Sequence, residues 1–232
     1  MAFPPRKTPV GVRIIAGRFR GHKLHYSGDP RTRPMKDRVR QALFNRLGPD
    51  VEGKLAIDLF AGTGALGLEA LSRGAHRVIL IEQHRSTVGD LQRSVETLGV
   101  SAEVTIVHGD AFLWHLNPRD PGKKARLPAP PSPLPALRPS LPAPCSPLPA
   151  LRPHDLGEEP WLVFCSPPYD FYVERAEAML ELLDRLIRTS PQGSVFAVEA
   201  DRRFDFRRLA DPDVWDLRTY PPAVVGIFRK YT

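Results

Sequence analysis

The stretch AIDLFAGTGALGLEAL, residues 56–71, runs an apolar strand into a glycine loop and then into a helix. Glycines at 62, 64 and 67 let the backbone turn tightly and approach a ligand closely. The helix that follows aims its first N–H groups at that ligand. Gly62-x-Gly64-x-x-Gly67 satisfies the dinucleotide fingerprint, and Glu82 lies about twenty residues on, at a strand end. By itself this pattern is compatible with a nicotinamide dinucleotide.

Asp58, at the junction of strand and loop, argues for a different ligand. A carboxylate there would repel a pyrophosphate and attract an ammonium. S-adenosylmethionine offers an ammonium, a sulfonium and a ribose, and no phosphate. Glu82 can accept from the two ribose hydroxyls. Asp110, in HGDAF at the next strand end, can accept from the adenine amino group. Three acids at three consecutive strand ends share the carboxyl edge of a sheet, where open α/β folds bind ligands. With Phe60, Gly62, Gly64 and Ala111 they make up the candidate cofactor set. The alternative is that Asp58 and Asp110 only cap the helices that follow them.

Outward from the loop, strand and helix alternate. KLAIDLF, RVILIE, AEVTIVHGD, WLVFC and GSVFAVEA read as strands. GALGLEALSRG, RSTVGDLQRSVETLG and VERAEAMLELLDRLIR read as helices. Such βαβ units imply a parallel sheet with helices on both faces. VWDLRTY and AVVGIFRKY are separated by only Pro221-Pro222. With no room for a helix between them they must be antiparallel neighbours, so the expected sheet has about seven strands. The expected fold class is α/β: Rossmann-like, mostly parallel, of the type found in class I S-adenosylmethionine-dependent methyltransferases. Residues 118–153 interrupt the rhythm. They hold thirteen of the 26 prolines, and SPLPALRP occurs twice, at 132–139 and 146–153. This composition favours polyproline II and cannot build a core. The expected organisation is a basic extension over 1–50 and a catalytic domain over 51–232, with a disordered Pro-rich insertion at about 118–156.

The 232 residues carry a net charge of +7, placed unevenly. Residues 1–50 hold twelve Lys or Arg against three acids, so the rest of the chain is slightly acidic. A basic lobe beside a near-neutral body marks a polyanion binder. RIIAGRFRGHKL, residues 13–24, reads as two short strands around a turn, projecting Arg18, Arg20 and Lys23. In TRPMKDRVRQALFNRL, Val39, Leu43, Phe44 and Leu47 recur at helical spacing, and Arg38, Arg40 and Arg46 are expected mostly off that stripe. Arg13, Arg33, Arg38 and Arg40 complete the candidate nucleic-acid-binding set. No stretch approaches the roughly 18 apolar residues of a membrane span, and the first residues lack a signal peptide's apolar region. Cys145 and Cys165 show no metal spacing, and a disulfide between them is not expected. The expectation is a cytoplasmic, monomeric protein with no metal and no membrane contact.

FCSPPYD, residues 164–170, ends an apolar strand in two prolines and a tyrosine, the kind of edge that holds a flat ring. Together with RIIAGRFRGHKL, the TRPMKDRVRQALFNRL helix, DLFAGTGALGLEALSRGA and LIE, this late PPY makes the sequence resemble the RsmD-type ribosomal RNA methyltransferases. The resemblance covers nearly the whole chain outside 118–153. It implies methyl transfer from S-adenosylmethionine to the exocyclic N2 of a guanine in 16S ribosomal RNA or the small ribosomal subunit. It also implies that Tyr169 stacks on the flipped base and that Pro167 and Pro168 form the rigid turn. In that family an aspartate precedes the prolines; here Ser166 takes its place. Serine accepts a hydrogen bond but brings no negative charge, and charged acceptors are roughly twice as strong. Backbone carbonyls or Asp170 could compensate. Three readings stay open: an active guanine-N2 methyltransferase, a methyltransferase for another base, and a catalytically impaired RNA-binding or assembly protein that keeps the fold.

Overall fold

A computed structural model describes residues 11–29, 32, 34–114, 156 and 158–231. The Pro-rich segment, Cys145 and Arg33 therefore lie outside the described residues, apart from Leu156 and Glu158–Pro160 at the segment's end.

The described residues start with a ribbon closed by an antiparallel bridge, Arg13 to Lys23. Leu24 N–H donates to Val12 and Ile14 N–H to His22, so the expected pair of short strands is present in minimal form. Helix α1 (Asp37–Leu47) follows. Then come β1 (Leu55–Asp58), α2 (Ala65–Ser72), β2 (Arg77–Glu82), α3 (Arg85–Leu98), β3 (Val104–His108) and α4 (Ala111–Trp114). The second half holds β4 (Trp161–Cys165), α5 (Phe171–Glu174), α6 (Ala176–Thr189), β5 (Val195–Asp201), β6 (Asp216–Tyr220) and β7 (Ala223–Arg229).

The seven strands lie in the order β3-β2-β1-β4-β5-β7-β6. The first five are parallel, and β7 runs antiparallel to both β5 and β6. The chain builds outward from β1 to β3, then crosses back and builds the other way from β4. That reversal, between β1 and β4, opens a crevice at the carboxyl ends of the strands.

Apart from Asp58 at the end of β1, the residues of β1 and β4 are apolar without alternation because both sheet faces are covered. Ala56, Leu162 and Phe164 enter a core shared with α1, α2 and α3. Leu55, Ile57, Trp161, Val163 and Cys165 enter a second core under α4 and α6. Helix α6 turns Met179, Leu182, Leu183, Leu186 and Ile187 into that second core, each contributing roughly 1.5–3 kcal/mol of burial. Gly67, in α2, is where helix meets sheet. A Cβ there would come within 2.4 Å of Leu80 Cδ2 and 2.9 Å of Val78 Cγ1, so only glycine lets α2 lie this close.

The basic ribbon packs onto the body of the fold. Val12, Ile14 and Leu24 are buried in the same core as α1 and α2, while Arg13 and Lys23, one residue along, face solvent. Helix α1 corrects one expectation. Arg40 is fully buried, its guanidinium bonded to the Arg13 carbonyl and Asp37 and 3.8 Å from Glu69. Positions 40, 43, 44 and 47 share one helical face, so Arg40 lies on the stripe and not off it. It supports the fold and is unavailable to RNA. Arg46 is also largely buried and paired with Asp216.

Candidate active site

The crevice is a cleft of about 760 Å³. Its floor is the glycine loop and the ends of β1 and β2. Ser166–Asp170 with Glu199 line it too, as do Thr32, Pro34, Met35, Lys36, Arg38 and Val39 and the β6–β7 turn, Tyr220–Ala223.

Asp58 sits at the end of β1, 1% exposed. Its Oδ2 accepts from Gly67 N–H at 3.2 Å, while Oδ1 is buried with no hydrogen-bond partner among the described residues. Burial pushes its carboxyl up to about 7, and the nearby Glu82 charge pushes the same way; the Gly67 and Phe60 N–H groups pull it down. A buried carboxylate oxygen without a donor costs free energy that a cationic donor would recover. This part of the site fits the ammonium of S-adenosylmethionine.

Glu82, at the end of β2, accepts from Gly62 N–H at 3.0 Å and His84 N–H at 2.7 Å, one per oxygen. Each oxygen keeps a second acceptor site, enough for two hydroxyls. Gly62, at φ +51°, adopts a left-handed turn that presents its N–H to Glu82. Phe60 lines the cleft, with its ring edge-on to Phe112 and Phe171. Gly64 lies against Leu91 and Leu68, behind the lining.

Asp110 is not among the residues that line the cleft. Its Oδ1 accepts from Phe112 N–H at 2.9 Å, capping α4, and its Oδ2 lies 3.6 Å from Arg175. Arg175 in turn lies over the Phe112 ring, 3.6 Å from its centroid. Ala111 is buried and also off the lining. Asp110 thus caps α4, which the sequence offered as the alternative to a contact with adenine.

Ser166, Pro167, Pro168 and Tyr169 all line the cleft, at the end of β4. Beside them stands an acid that belongs to none of the sequence motifs. Glu199 of β5 accepts from the Ser166 hydroxyl at Oε2 and from the Tyr169 hydroxyl at Oε1, the latter at 2.8 Å. The Tyr172 hydroxyl donates to the Glu199 carbonyl at 2.9 Å. Cys165 pairs with Val198 in the sheet register, so the next residue of each strand, Ser166 and Glu199, emerge together. The signal was available: an acid ending the apolar run VFAVEA repeats the logic that singled out Asp58 and Glu82. Asp170, considered as a compensating acid, is exposed and paired with Arg203 at 3.0 Å.

Of the candidate RNA-binding residues, Arg13, Arg18, Arg20, Lys23 and Arg38 are exposed. Arg13 pairs with Asp37, and Arg18 with Glu103 while lying over the Phe19 ring. Arg38 stands on the cleft wall. Among the described residues no helix is long and apolar enough to cross a membrane.

Residues 12–125 match a family model described as Conserved hypothetical protein 95. That segment contains the ribbon, α1 and the glycine loop, and it ends before Ser166. The chain is 48% identical over 114 residues to ribosomal RNA small subunit methyltransferase D of Escherichia coli, covering 49% of this chain and 57% of that one. It is 44% identical over 102 residues to the protein of the same name from Haemophilus influenzae, covering 44% and 53%. The chain thus spans just over half the length of the curated relatives it matches. The solved structure of the Escherichia coli protein yhhF is similar over 95% of this chain and 98% of that one, with a TM-score of 0.62 and 25% identity. An RNA methyltransferase from Salinibacter ruber, solved in complex with S-adenosyl-L-homocysteine, shares the fold over 86% of this chain and 94% of its own, with a TM-score of 0.53 and 16% identity. The resemblance read from the motifs is therefore met again in sequence over about half of the chain, and in fold over most of it.

Proposed function

We propose that this chain transfers a methyl group from S-adenosylmethionine to the exocyclic N2 of a guanine in small-subunit ribosomal RNA. The observation that carries the reading is one cleft holding Asp58 Oδ1, without a partner among the described residues, the Glu82 carboxylate and the Ser166–Tyr169 turn, with basic side chains lining it. The similarity to the ribosomal RNA small subunit methyltransferases D supports the substrate. The same reading takes the protein as a cytoplasmic monomer.

When bound, S-adenosylmethionine supplies an electrophilic methyl on a sulfonium. Asp58 Oδ1 accepts from its ammonium, and Glu82 accepts from its ribose hydroxyls. Phe60 offers an apolar edge beside them. Tyr169 stacks on the flipped guanine, and Pro167 and Pro168 keep that ring from swinging away. The exposed ribbon cations grip phosphates and position the RNA without reading its sequence.

The test is transfer from labelled S-adenosylmethionine to small ribosomal subunits lacking the modification, with nucleotide mapping. Label on the N2 of one guanine is the expected result. No label, or label on another base, overturns the reading in favour of a binding protein or a different specificity.

Replacing Arg18, Arg20 and Lys23 together by alanine should weaken RNA binding across sequences. The slope of log affinity against log salt should fall by about two to three, the loss of three phosphate contacts. Unchanged affinity at every salt concentration would remove the ribbon from the RNA interface.

A further inference from the structure

We infer that Glu199 supplies, through Ser166, the negative charge that Ser166 itself lacks, and that the two form a proton relay from the target amine. The inference rests on the methyl-transfer reading.

Glu199 is 8% exposed and its two carboxylate oxygens each accept one hydroxyl, from Ser166 and from Tyr169. A serine hydroxyl has one proton and two acceptor sites. Because its proton is committed to Glu199, Ser166 Oγ turns only acceptor capacity toward the cleft. Donating to a carboxylate also makes Oγ a stronger acceptor, since hydrogen bonds in series polarise one another. The same carboxylate holds the Tyr169 hydroxyl and so fixes the plane of the stacking ring. One acid thus orients both the acceptor and the platform.

The amine nitrogen gives its lone pair to the methyl carbon, and the carbon–sulfur bond breaks with its electron pair left on sulfur. The nitrogen, now cationic, passes one proton to Ser166 Oγ as Ser166 passes its own to Glu199 Oε2. The protonated Glu199 then loses that proton to water. Glu199 is a positioning residue in this scheme, since Ser166 alone touches the amine.

The experiment compares wild type, Glu199→Gln and Ser166→Asp/Glu199→Gln on small ribosomal subunits, with S-adenosylmethionine affinity measured by calorimetry. Glutamine keeps the shape and removes the charge. Glu199→Gln should lower kcat about 100-fold, the lower range for a lost acid–base group. KM for RNA and the affinity for S-adenosylmethionine should stay within about threefold, as expected when the lost interaction is made only in the transition state. The double variant moves the carboxylate to position 166 and should regain at least tenfold of that loss. In the ligand-free protein labelled with [13Cζ]-tyrosine, the Tyr169 signal should shift in Glu199→Gln. A kcat within twofold of wild type, a loss confined to KM, no regain in the double variant, or an unmoved Tyr169 signal would each overturn the relay. A wild type that binds S-adenosylmethionine yet labels no RNA would overturn the methyl-transfer reading and the relay together, and it is recognised by the failure of wild type itself.

Discussion

Asp58→Asn should weaken S-adenosylmethionine binding about 100-fold and make the folded protein more stable at pH 8. The two effects have one cause. Asp58 is buried at the end of β1 with one oxygen bonded to Gly67 N–H and the other without a partner among the described residues. Burial, reinforced by the Glu82 charge, raises its carboxyl to about 7. A carboxyl whose folded pKa exceeds its unfolded value binds more protons in the folded state, so its contribution to stability is complete at acid pH. That contribution is lost as pH rises from about 4 through 7, on the order of 4 kcal/mol in all. Asparagine keeps an acceptor for Gly67 and has no charge to desolvate, so its stability should be flat across that window. Thermal melts at pH 5 and pH 8 read the difference directly.

An ammonium placed at Asp58 Oδ1 reverses that preference, because it favours the ionised carboxylate. Wild-type affinity should therefore fall as pH drops from 7 to 5.5, approaching tenfold per unit. Asparagine removes the charge, and hydrogen bonds to charged groups contribute about 1.5–3 kcal/mol, the upper end of which is about 100-fold. Calorimetry over that range should show weak, pH-independent binding for Asp58→Asn. Wild-type affinity in the variant, or a flat wild-type profile, would place the ammonium elsewhere.

The sheet was legible because its strands obey a simple constraint. β1 and β4 feed two cores at once, so they read as unbroken apolar runs. The pair β6–β7 was legible because two residues cannot hold a crossover helix. What the sequence conceals is which charged groups the packing claims. Arg40 reads as surface by residue type, yet it shares a face with Leu43, Phe44 and Leu47 and is buried. Asp110 has the type and position of a ligand acid, and one of its oxygens is taken by the N–H of Phe112. Glu199 shows the converse. A search along the chain stops at Ser166, whereas the acid arrives on the adjacent strand. Strand adjacency is a property of the order β1-β4-β5, which no local motif encodes.

Glu69→Ala should be the most destabilising of these substitutions, costing about 3–5 kcal/mol, because Glu69 ties the basic ribbon to the cofactor helix. It is fully buried in α2. Its oxygens accept from Ile15 N–H at 2.7 Å, Ala16 N–H at 3.0 Å and Arg73 Nε at 2.7 Å. Arg40, also fully buried, lies 3.8 Å away, and its Nε and Nη1 have no hydrogen-bond partner among the described residues. Burial already lowers the Arg40 pKa, and the Asp37 and Glu69 charges oppose that effect. Alanine would strip away one of those charges and leave two backbone donors unpaired. Breaking a buried ion pair by removing one partner costs in that range. Chemical denaturation measures the loss. Amide exchange at Ile15 and Ala16 locates it, since those two protons should lose protection first. A loss under about 1 kcal/mol with Ile15 and Ala16 still protected would show that the Ser72 contacts, from Arg18 N–H and Phe19 N–H, hold the ribbon by themselves. Because α2 begins at the glycine loop, the same tie sets the distance from Arg18 and Arg20 to the cleft. At temperatures where Glu69→Ala remains folded, KM for RNA should therefore rise more than the dissociation constant for S-adenosylmethionine.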